Sequence, residues 1–199
     1  MVRNSKAFRL SILALFIAFV IIQNFVPFLG YIPVGALSLT TIQITVIVAA
    51  IVLGPTDGAI VGGVWGILSC IKAFTSPSSP VASLIFTNPL ISVLPRILVG
   101  LLAGYLFIWF TKTKIKEPMS ATIVGGLGAL LNTVLVLGLI FIFYRNPAVA
   151  QAYGVSNPNL IGGVLMATVG TNGIPEAILS AIGTPIISIP LLHFMDKSE

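Results

Sequence analysis

A succession of apolar runs close to bilayer length constrains the fold of this chain more than any other feature. Only α-helices and closed β-barrels satisfy their backbone hydrogen bonds inside lipid, and about 20 apolar residues match the length of a membrane-crossing helix. With 57% hydrophobic and 8% charged residues, the chain does not resemble a water-soluble domain. The runs cover residues 10–26, 37–53, 58–74, 90–110, 119–143 and 174–194. We therefore expect one all-α membrane domain over residues 1–199, with six transmembrane helices.

The basic residues predict how these helices cross the membrane. The net charge of +5 comes from scattered side chains without an aromatic-rich basic face, so we expect no nucleic-acid partner. Lys72 and Arg145 lie at the outer rim of a six-helix topology, and the positive-inside rule then places both termini in the cytoplasm. The basic residues that share the side of the termini are Arg3, Lys6, Arg9, Lys112, Lys114, Lys116 and Lys197. The predicted location is the cell membrane.

Two outer connections are long enough to fold over a cavity. Residues 75–87 are rich in serine and proline and then apolar, and residues 144–173 carry no charge after Arg145. The ten residues 160–169 are apolar but too few to cross a bilayer. A re-entrant or lid-like segment fits this pattern, since two full crossings would require a seventh helix and would move the C-terminus outside.

The sequence lacks the parts of a catalytic or metal site. His193 is the single histidine and Cys70 the single cysteine, so neither a metal cluster nor a nucleophile and base pair can be assembled from them. There is also no phosphate-binding loop of the G-x-x-x-x-G-K-[ST] type. We predict a protein that is not an enzyme and needs no cofactor, and any ATP-driven step would depend on a partner.

Arg96 is the strongest candidate for a binding residue. It lies within an apolar run, where a charge costs at least ~2.5 kcal/mol and usually faces the protein interior with a partner or a ligand. Glu176 lies at the head of the last helix, where an acid also complements the helix dipole. Two interpretations stay open: a structural ion pair between Arg96 and Glu176, or contact of one of them with a charged solute.

Neutral polar and aromatic side chains in the apolar helices complete a candidate pocket. Small-molecule sites are mostly apolar with a few placed hydrogen-bonding groups, which these residues would form if their helices converge. Asn132 fits an interhelical hydrogen bond equally well, and Trp65 fits core packing. The remaining candidate substrate-binding residues are Gln43, Trp65, Asn88, Asn132 and Asn172.

Several motifs together resemble the substrate-binding S components of energy-coupling factor (ECF) vitamin transporters, and most of all their pantothenate-binding members. The motifs follow a basic N-terminus and together span nearly the whole chain. The block from Asn88-Pro to Pro-Arg96 is the most specific of them. They are Ala14-Leu-Phe-Ile-Ala18, Leu53-Gly-Pro-Thr-Asp-Gly58, Gly62-Gly-Val-Trp-Gly66, Asn88-Pro-Leu-Ile-Ser-Val-Leu-Pro-Arg96, Asn132-Thr133 and Asn172-Gly-Ile-Pro-Glu176.

The resemblance implies capture of a water-soluble vitamin from outside by a six-helix protein with loops that close over it. It also implies partners, namely a transmembrane coupling protein that docks on Ala14 and Ala18, and two cytoplasmic ATPases. Glu176 would repel pantothenate unless Arg96 neutralised it, so hydroxymethylpyrimidine or pyridoxine is the alternative substrate. An autonomous channel or secondary transporter is less favoured, because neither an inverted repeat nor titratable groups deeper than Glu176 are found. A scaffold without a solute is also less favoured, because it gives no reason for Arg96 or the lid-like loops.

Overall fold

The protein is a helical bundle with an apolar exterior, and a computed structural model describes residues 6–26, 28–34 and 37–197. Within these residues, five helical runs are long and apolar enough to cross a membrane: Lys6–Phe25, Pro55–Thr75, Pro89–Lys112, Glu117–Phe143 and Pro158–Met195. Large apolar side chains such as Leu15, Phe74 and Ile142 remain exposed on the outside. Such a surface is typical of a protein embedded in lipid, and the predicted all-α membrane fold agrees with it.

Ten α-helices and one β-hairpin make up the described chain. Proline occupies the first or second position of many of the helices, where its missing N–H costs nothing. The strands are β1 (Tyr31–Val34) and β2 (Leu37–Thr40). The helices are α1 (Lys6–Phe25), α2 (Ile42–Leu53), α3 (Pro55–Thr75), α4 (Pro80–Ile85), α5 (Pro89–Ser92), α6 (Leu94–Lys112), α7 (Glu117–Phe143), α8 (Pro147–Ala152), α9 (Ile161–Thr168) and α10 (Ile174–Lys197).

The second predicted span differs from the observed structure at its start. Residues 37–40 form β2, which pairs antiparallel with β1 so that Tyr31 faces Thr40. The alternation of apolar and polar residues in Leu37-Ser-Leu-Thr40 is the period of a strand and not of a helix. Helix α2 therefore begins at Ile42 and extends only about 18 Å at 1.5 Å per residue, which is shorter than the ~30 Å hydrocarbon core of a bilayer.

Helix α2 occupies the centre of the bundle. Every residue from 42 to 51 is buried, which is the environment expected of a helix that is apolar on all sides. Ile42 and Val46 pack with α1 and α3 in one apolar cluster, whereas Ile47 and Ile51 pack with α6 and α7 in another. Gly54, with φ of 103°, is the only residue between α2 and α3, so a tight turn joins these two helices.

Glycines bring α3 and α6 into close backbone contact. A Cβ atom added to Gly62 would strike the carbonyl oxygen of Arg96, and one added to Gly100 would strike that of Gly58. Gly62 with Gly66, and Gly100 with Gly104, form small-x-x-x-small patterns, which let helix backbones approach closely. The segment that carries Arg96 is therefore fixed against α3.

The helix ends nearest the basic residues meet at one end of the bundle. Arg9 forms an ion pair with Asp57 at 2.6 Å, which joins the start of α1 to the start of α3. The end of α2, the end of α6, the start of α7 and the end of α10 share a cluster of Ile51, Phe107, Ala121 and Leu192. Arg3 lies outside the described residues, as does the side chain of Lys197. We call this the basic end.

The outer connections, predicted as lid-like, are largely helical. Residues 75–87 contain α4, and residues 144–173 contain α8, a 3₁₀ turn (Pro158–Leu160) and α9. The segment 160–169 does not form a separate re-entrant loop, because one turn of π-helix (Val169–Gly173) carries α9 directly into α10. Ile161 and Leu165 of α9 pack with apolar residues of α4, α5 and α8 and with the outer half of α7. Helices α4, α5, α8 and α9 therefore form one outer layer.

Candidate functional site

A cavity of about 660 Å³ lies beneath this outer layer, at the end of the bundle opposite the basic end. Its inner walls come from the second half of α3, the first turn of α6 and the middle of α7, and its outer walls come from the hairpin, α4 and α9. The polar and aromatic side chains that line it are Tyr31, Thr40, Trp65, Ser69, Lys72, Ser78, Ser79, Phe86, Arg96, Asn132, Tyr153, Thr168, Thr171 and Asn172. This volume and mixture are typical of a small-molecule site.

Arg96 presents a buried guanidinium group in the cavity wall. The chain breaks from α5 to α6 at Val93, which places Arg96 in the first turn of α6, where Nη1 donates a hydrogen bond to the Ile91 carbonyl at 2.6 Å. The guanidinium lies 5.0 Å from the ring centre of Trp65 and 5.2 Å from that of Phe86. Its Nε atom has no hydrogen-bond partner in the described structure.

The ion pair between Arg96 and Glu176 considered from the sequence is not formed between these two described residues. Glu176 instead accepts hydrogen bonds from the backbone N–H of Thr40 at 2.7 Å and from Gln43 Nε2 at 3.4 Å. Both oxygens of the Glu176 carboxylate are thus engaged by the β-hairpin and α2. Arg96 consequently remains a buried cation with donor capacity for a ligand.

Lys72 supplies a second cation to the cavity. Its ammonium group donates to the carbonyl oxygen of Asn24 at 2.9 Å and lies 4.7 Å from the ring centre of Tyr31. The sequence placed Lys72 at the outer rim, and the structure places its side chain in the cavity lining. Two cations therefore face the same space, which favours a ligand that carries a negative charge.

A set of buried amide and carboxyl groups lies at the inner end of the cavity. Asn132 Nδ2 donates to Gln43 Oε1 at 3.3 Å, and Gln43 Nε2 is 3.4 Å from both Glu176 Oε2 and Ser180 Oγ. Asn132 lines the cavity, whereas Gln43 and Glu176 lie behind its surface. The predicted interhelical hydrogen bond of Asn132 and its place in the pocket are therefore compatible.

The outer wall offers hydroxyl and amide groups. The Ser79 side chain caps α4 by accepting from the Ala82 N–H at 3.1 Å, while Thr171 and Asn172 lie on the π-helical turn. Burial raises the pKa of the Tyr153 phenol, because the apolar surroundings disfavour the charged phenolate. Tyr153 is therefore a neutral hydrogen-bonding group at physiological pH.

Four of the seven predicted substrate-binding residues line the cavity, Gln43 and Glu176 lie behind its surface, and Asn88 is placed elsewhere. Trp65, Arg96, Asn132 and Asn172 belong to its lining. Asn88 caps α5, because its Oδ1 accepts from the Leu90 N–H at 2.9 Å, and it does not line the cavity. Its predicted contact with substrate gains no support from this geometry.

Sequence reasoning missed the hydroxyl and aromatic groups contributed by the connections. Tyr31 and Thr40 come from the hairpin, and Tyr153, Thr168 and Thr171 come from the outer layer. The strand-like alternation of residues 37–40 was a usable signal for the hairpin, whereas nothing in the sequence distinguishes Thr168 from other helical threonines.

Other predicted site types are also located by the structure. The predicted docking residues Ala14 and Ala18 are exposed on α1. Within residues 6–26, 28–34 and 37–197, no three histidine, cysteine, aspartate or glutamate side chains come together as a possible metal site. The polar groups in the described lining of the cavity are cations, amides and hydroxyls, and aromatic rings lie beside them.

Comparison with known proteins gives a consistent set of relatives. Residues 8–188 match the profile of the family described as the ECF transporter, substrate-specific component. The chain is 39% identical over 197 residues to the pantothenate transporter PanT of Leuconostoc mesenteroides subsp. mesenteroides, covering 94% of this chain and 95% of that protein. It is 32% identical over 203 residues to the pantothenic acid transporter PanT of Lactococcus lactis subsp. cremoris, covering 96% of each.

Proposed function

The chain belongs to the family of ECF transporter substrate-specific components, and from this premise we propose that it captures pantothenate outside the cell for delivery inward. Two relatives that align over nearly their whole length are pantothenate transporters by name. The observation that carries the assignment is the buried guanidinium of Arg96 in the cavity wall, free of any ion pair with the described carboxylates. A buried cation of this kind is suited to a carboxylate ligand.

The remaining chemistry of the cavity agrees with the rest of the pantothenate molecule. Pantothenate carries one carboxylate, one amide and two hydroxyl groups, and the walls offer the amides of Asn132 and Asn172 and the hydroxyls of Thr168 and Thr171. Hydrogen-bonding groups of both types fix the orientation of a small ligand in a mostly apolar pocket. Arg96 is the proposed partner of the carboxylate, with Lys72 as the second cation.

The position of Glu176 favours pantothenate over an aminopyrimidine or a pyridine vitamin. A carboxylate facing the ligand would repel an anion and attract a protonated or donor-rich ring. Glu176 is held by Thr40 and Gln43 behind the cavity surface. The main objection to an anionic substrate is thereby reduced, since the charges that line the cavity are those of Lys72 and Arg96.

Equilibrium binding tests this assignment directly. We expect the purified chain in detergent to bind labelled pantothenate selectively, with nanomolar affinity as an estimate for a buried, charge-paired ligand. Pyridoxine, hydroxymethylpyrimidine, riboflavin and folate serve as competitors. Displacement by a pyrimidine or pyridine alone would reassign the substrate within the family, and absence of all binding would refute vitamin capture.

Delivery inward is proposed to depend on a transmembrane coupling protein and two cytoplasmic ATPases. Support comes from the exposed small side chains of Ala14 and Ala18 on α1, one helical turn apart. Another membrane helix can approach closely over such residues. In this proposal the chain binds the vitamin, and the energy of ATP hydrolysis is supplied by the partners.

We further propose six membrane crossings with both termini in the cytoplasm, so that the cavity opens outward. Arg9 and the Lys112 to Lys116 link lie at the basic end, which the positive-inside rule assigns to the cytoplasm. In a Cys70→Ser background, an impermeant thiol reagent applied to intact cells should label Ser156→Cys and not Lys114→Cys. The reverse labelling pattern would overturn the orientation.

A further inference from the structure

A continuous chain of three polar side chains connects α10 to the cavity. Glu176, Gln43 and Asn132 are 6%, 0% and 7% exposed, and they come from three different helices. Gln43 lies between the other two, with Nε2 at 3.4 Å from Glu176 and Oε1 at 3.3 Å from Asn132. Because water does not reach most of these atoms, each group depends on its protein neighbours for hydrogen bonds.

The carboxylate of Glu176 determines the orientation of Gln43. An ionised carboxylate only accepts hydrogen bonds. One oxygen of Glu176 accepts from the backbone N–H of Thr40 at 2.7 Å, and the other faces Gln43. A primary amide has its donors on nitrogen alone, so Nε2 of Gln43 turns toward Glu176 and Oε1 points toward Asn132.

The orientation of Gln43 in turn determines that of Asn132. The Gln43 oxygen requires a donor, which Asn132 supplies from Nδ2. The Asn132 oxygen Oδ1 then points away from Gln43, is buried, and has no hydrogen-bond partner in the described structure. Asn132 lines the cavity. A buried acceptor left unpaired is unfavourable, and a donor on a bound ligand would satisfy it.

We propose that Glu176 is a positioning residue that acts through Gln43 to hold Asn132 Oδ1 ready to accept a hydrogen bond from a hydroxyl or amide N–H of the ligand. This inference rests on the proposed function, because pantothenate carries two hydroxyls and one amide N–H. Asn132 contacts the ligand, whereas Glu176 lies behind the cavity surface and determines which amide atom of Asn132 faces the ligand. The site thereby rejects analogues that place an acceptor or an apolar group at this point.

Three pantothenate analogues, each lacking one donor, test the proposal. Two replace a hydroxyl by hydrogen and one carries a methyl group on the amide nitrogen. We expect the unaltered protein to bind one of them about 10- to 100-fold more weakly than pantothenate, the range for a lost hydrogen bond that leaves a buried acceptor unpaired. In Asn132→Ala this ratio should fall to within about threefold of unity.

Variants of Glu176 separate positioning from a structural role. In Glu176→Gln the amide oxygen keeps the hydrogen bond from the Thr40 N–H and the amide nitrogen faces Gln43. This reverses the orientation imposed on Gln43, and we expect the discrimination ratio to fall. Adding Glu176→Gln to Asn132→Ala should change the ratio no further, because both act on the same atom. Thr184→Val is a matched control, since it removes another buried hydroxyl of α10, one without a partner in the described structure.

The outcomes are distinct. An unchanged discrimination ratio in Asn132→Ala or in Glu176→Gln would overturn the proposal, as would an equal loss of affinity for pantothenate and every analogue in Glu176→Gln. Should Glu176→Gln fail to fold, Gln43→Met removes the side chain that links Glu176 to Asn132. Its discrimination ratio is then judged in the same way. Absence of pantothenate binding by the unaltered protein would overturn the proposed function and this inference together, whereas binding with unchanged ratios would overturn the inference alone.

Discussion

Replacing Arg96 by methionine should leave the empty protein intact while weakening its hold on an anionic ligand. Methionine is unbranched and adapts to irregular space. The variant loses a hydrogen bond to the Ile91 carbonyl and two ring contacts, the latter worth about 0.5–2 kcal/mol each. It also removes a membrane-embedded charge that has no ion-pair partner among the described residues, and keeping such a charge in the membrane costs at least ~2.5 kcal/mol. Because these terms oppose each other, we expect little change in the stability of the free protein.

The ligand-bound protein should respond differently. Nη1 of Arg96 already donates to the Ile91 carbonyl, so the ligand takes its hydrogen bond from the remaining guanidinium donors. Arg96→Met removes that one charge-assisted hydrogen bond and with it about 1.5–3 kcal/mol of binding free energy. This corresponds to an increase in Kd of about 10- to 150-fold. With ligand at 100 times the original Kd, binding stabilises the unaltered protein by about 2.7 kcal/mol, and a 100-fold weaker variant by only about 0.4 kcal/mol.

Thermal unfolding and titration calorimetry in detergent measure both quantities. The alcohol analogue of pantothenate, in which CH₂OH replaces the carboxylate, is the control ligand, and its affinity should be nearly the same in Arg96→Met and in the unaltered protein. Lys72→Met is the control variant, since it removes the other cation of the cavity. A preference for the carboxylate that survives in Arg96→Met but disappears in Lys72→Met would refute the assignment of Arg96.

Two further predictions concern docking and packing. Ala14→Phe should keep pantothenate affinity but abolish uptake in cells that contain the coupling proteins. Leu15→Phe is the control, because it changes an exposed neighbouring side chain, and it should keep both affinity and uptake. Loss of binding in Ala14→Phe would contradict a docking role. Gly62→Ala should lower the free energy of unfolding by about 1–3 kcal/mol, because the added Cβ meets the backbone of α6. Gly63→Ala should be tolerated, because its Cβ would lie 3.4 Å from the nearest atom. Equal melting temperatures of these two variants would contradict this prediction.

The helical part of the fold followed from the sequence because lipid leaves few alternatives. Apolar runs of sufficient length must be helical or form a barrel, and the observed helices α1, α3, α7 and α10 agree with the predicted runs. The hairpin was missed because residues 37–40 are apolar enough to extend the next helical run. Local strand pairing with Tyr31–Val34 decided their structure, and hydropathy alone does not detect such pairing.

The candidate site was predictable to the extent that its residues are unusual for their surroundings. Arg96, Asn132 and Asn172 are polar groups in apolar sequence, and all three line the cavity. Asn88 has the same character, yet it satisfies a helix terminus, since asparagine is a preferred capping residue. The positioning role proposed for Glu176 was not accessible from sequence, because it depends on which hydrogen-bonding partners the hairpin and α2 bring to its two oxygens.

The π-helical turn between α9 and α10 makes the cavity of this protein sensitive to the length of the chain at that point. A π-helical turn contains more residues than an α-helical turn. Deleting one residue from Val169–Gly173 would restore α-helical winding and rotate α9 by about 100° relative to α10. Thr168 would then leave the cavity wall and a different face of α9 would take its place. A single-residue insertion or deletion at this turn would thus change which side chains of α9 face the cavity without any substitution elsewhere in its wall.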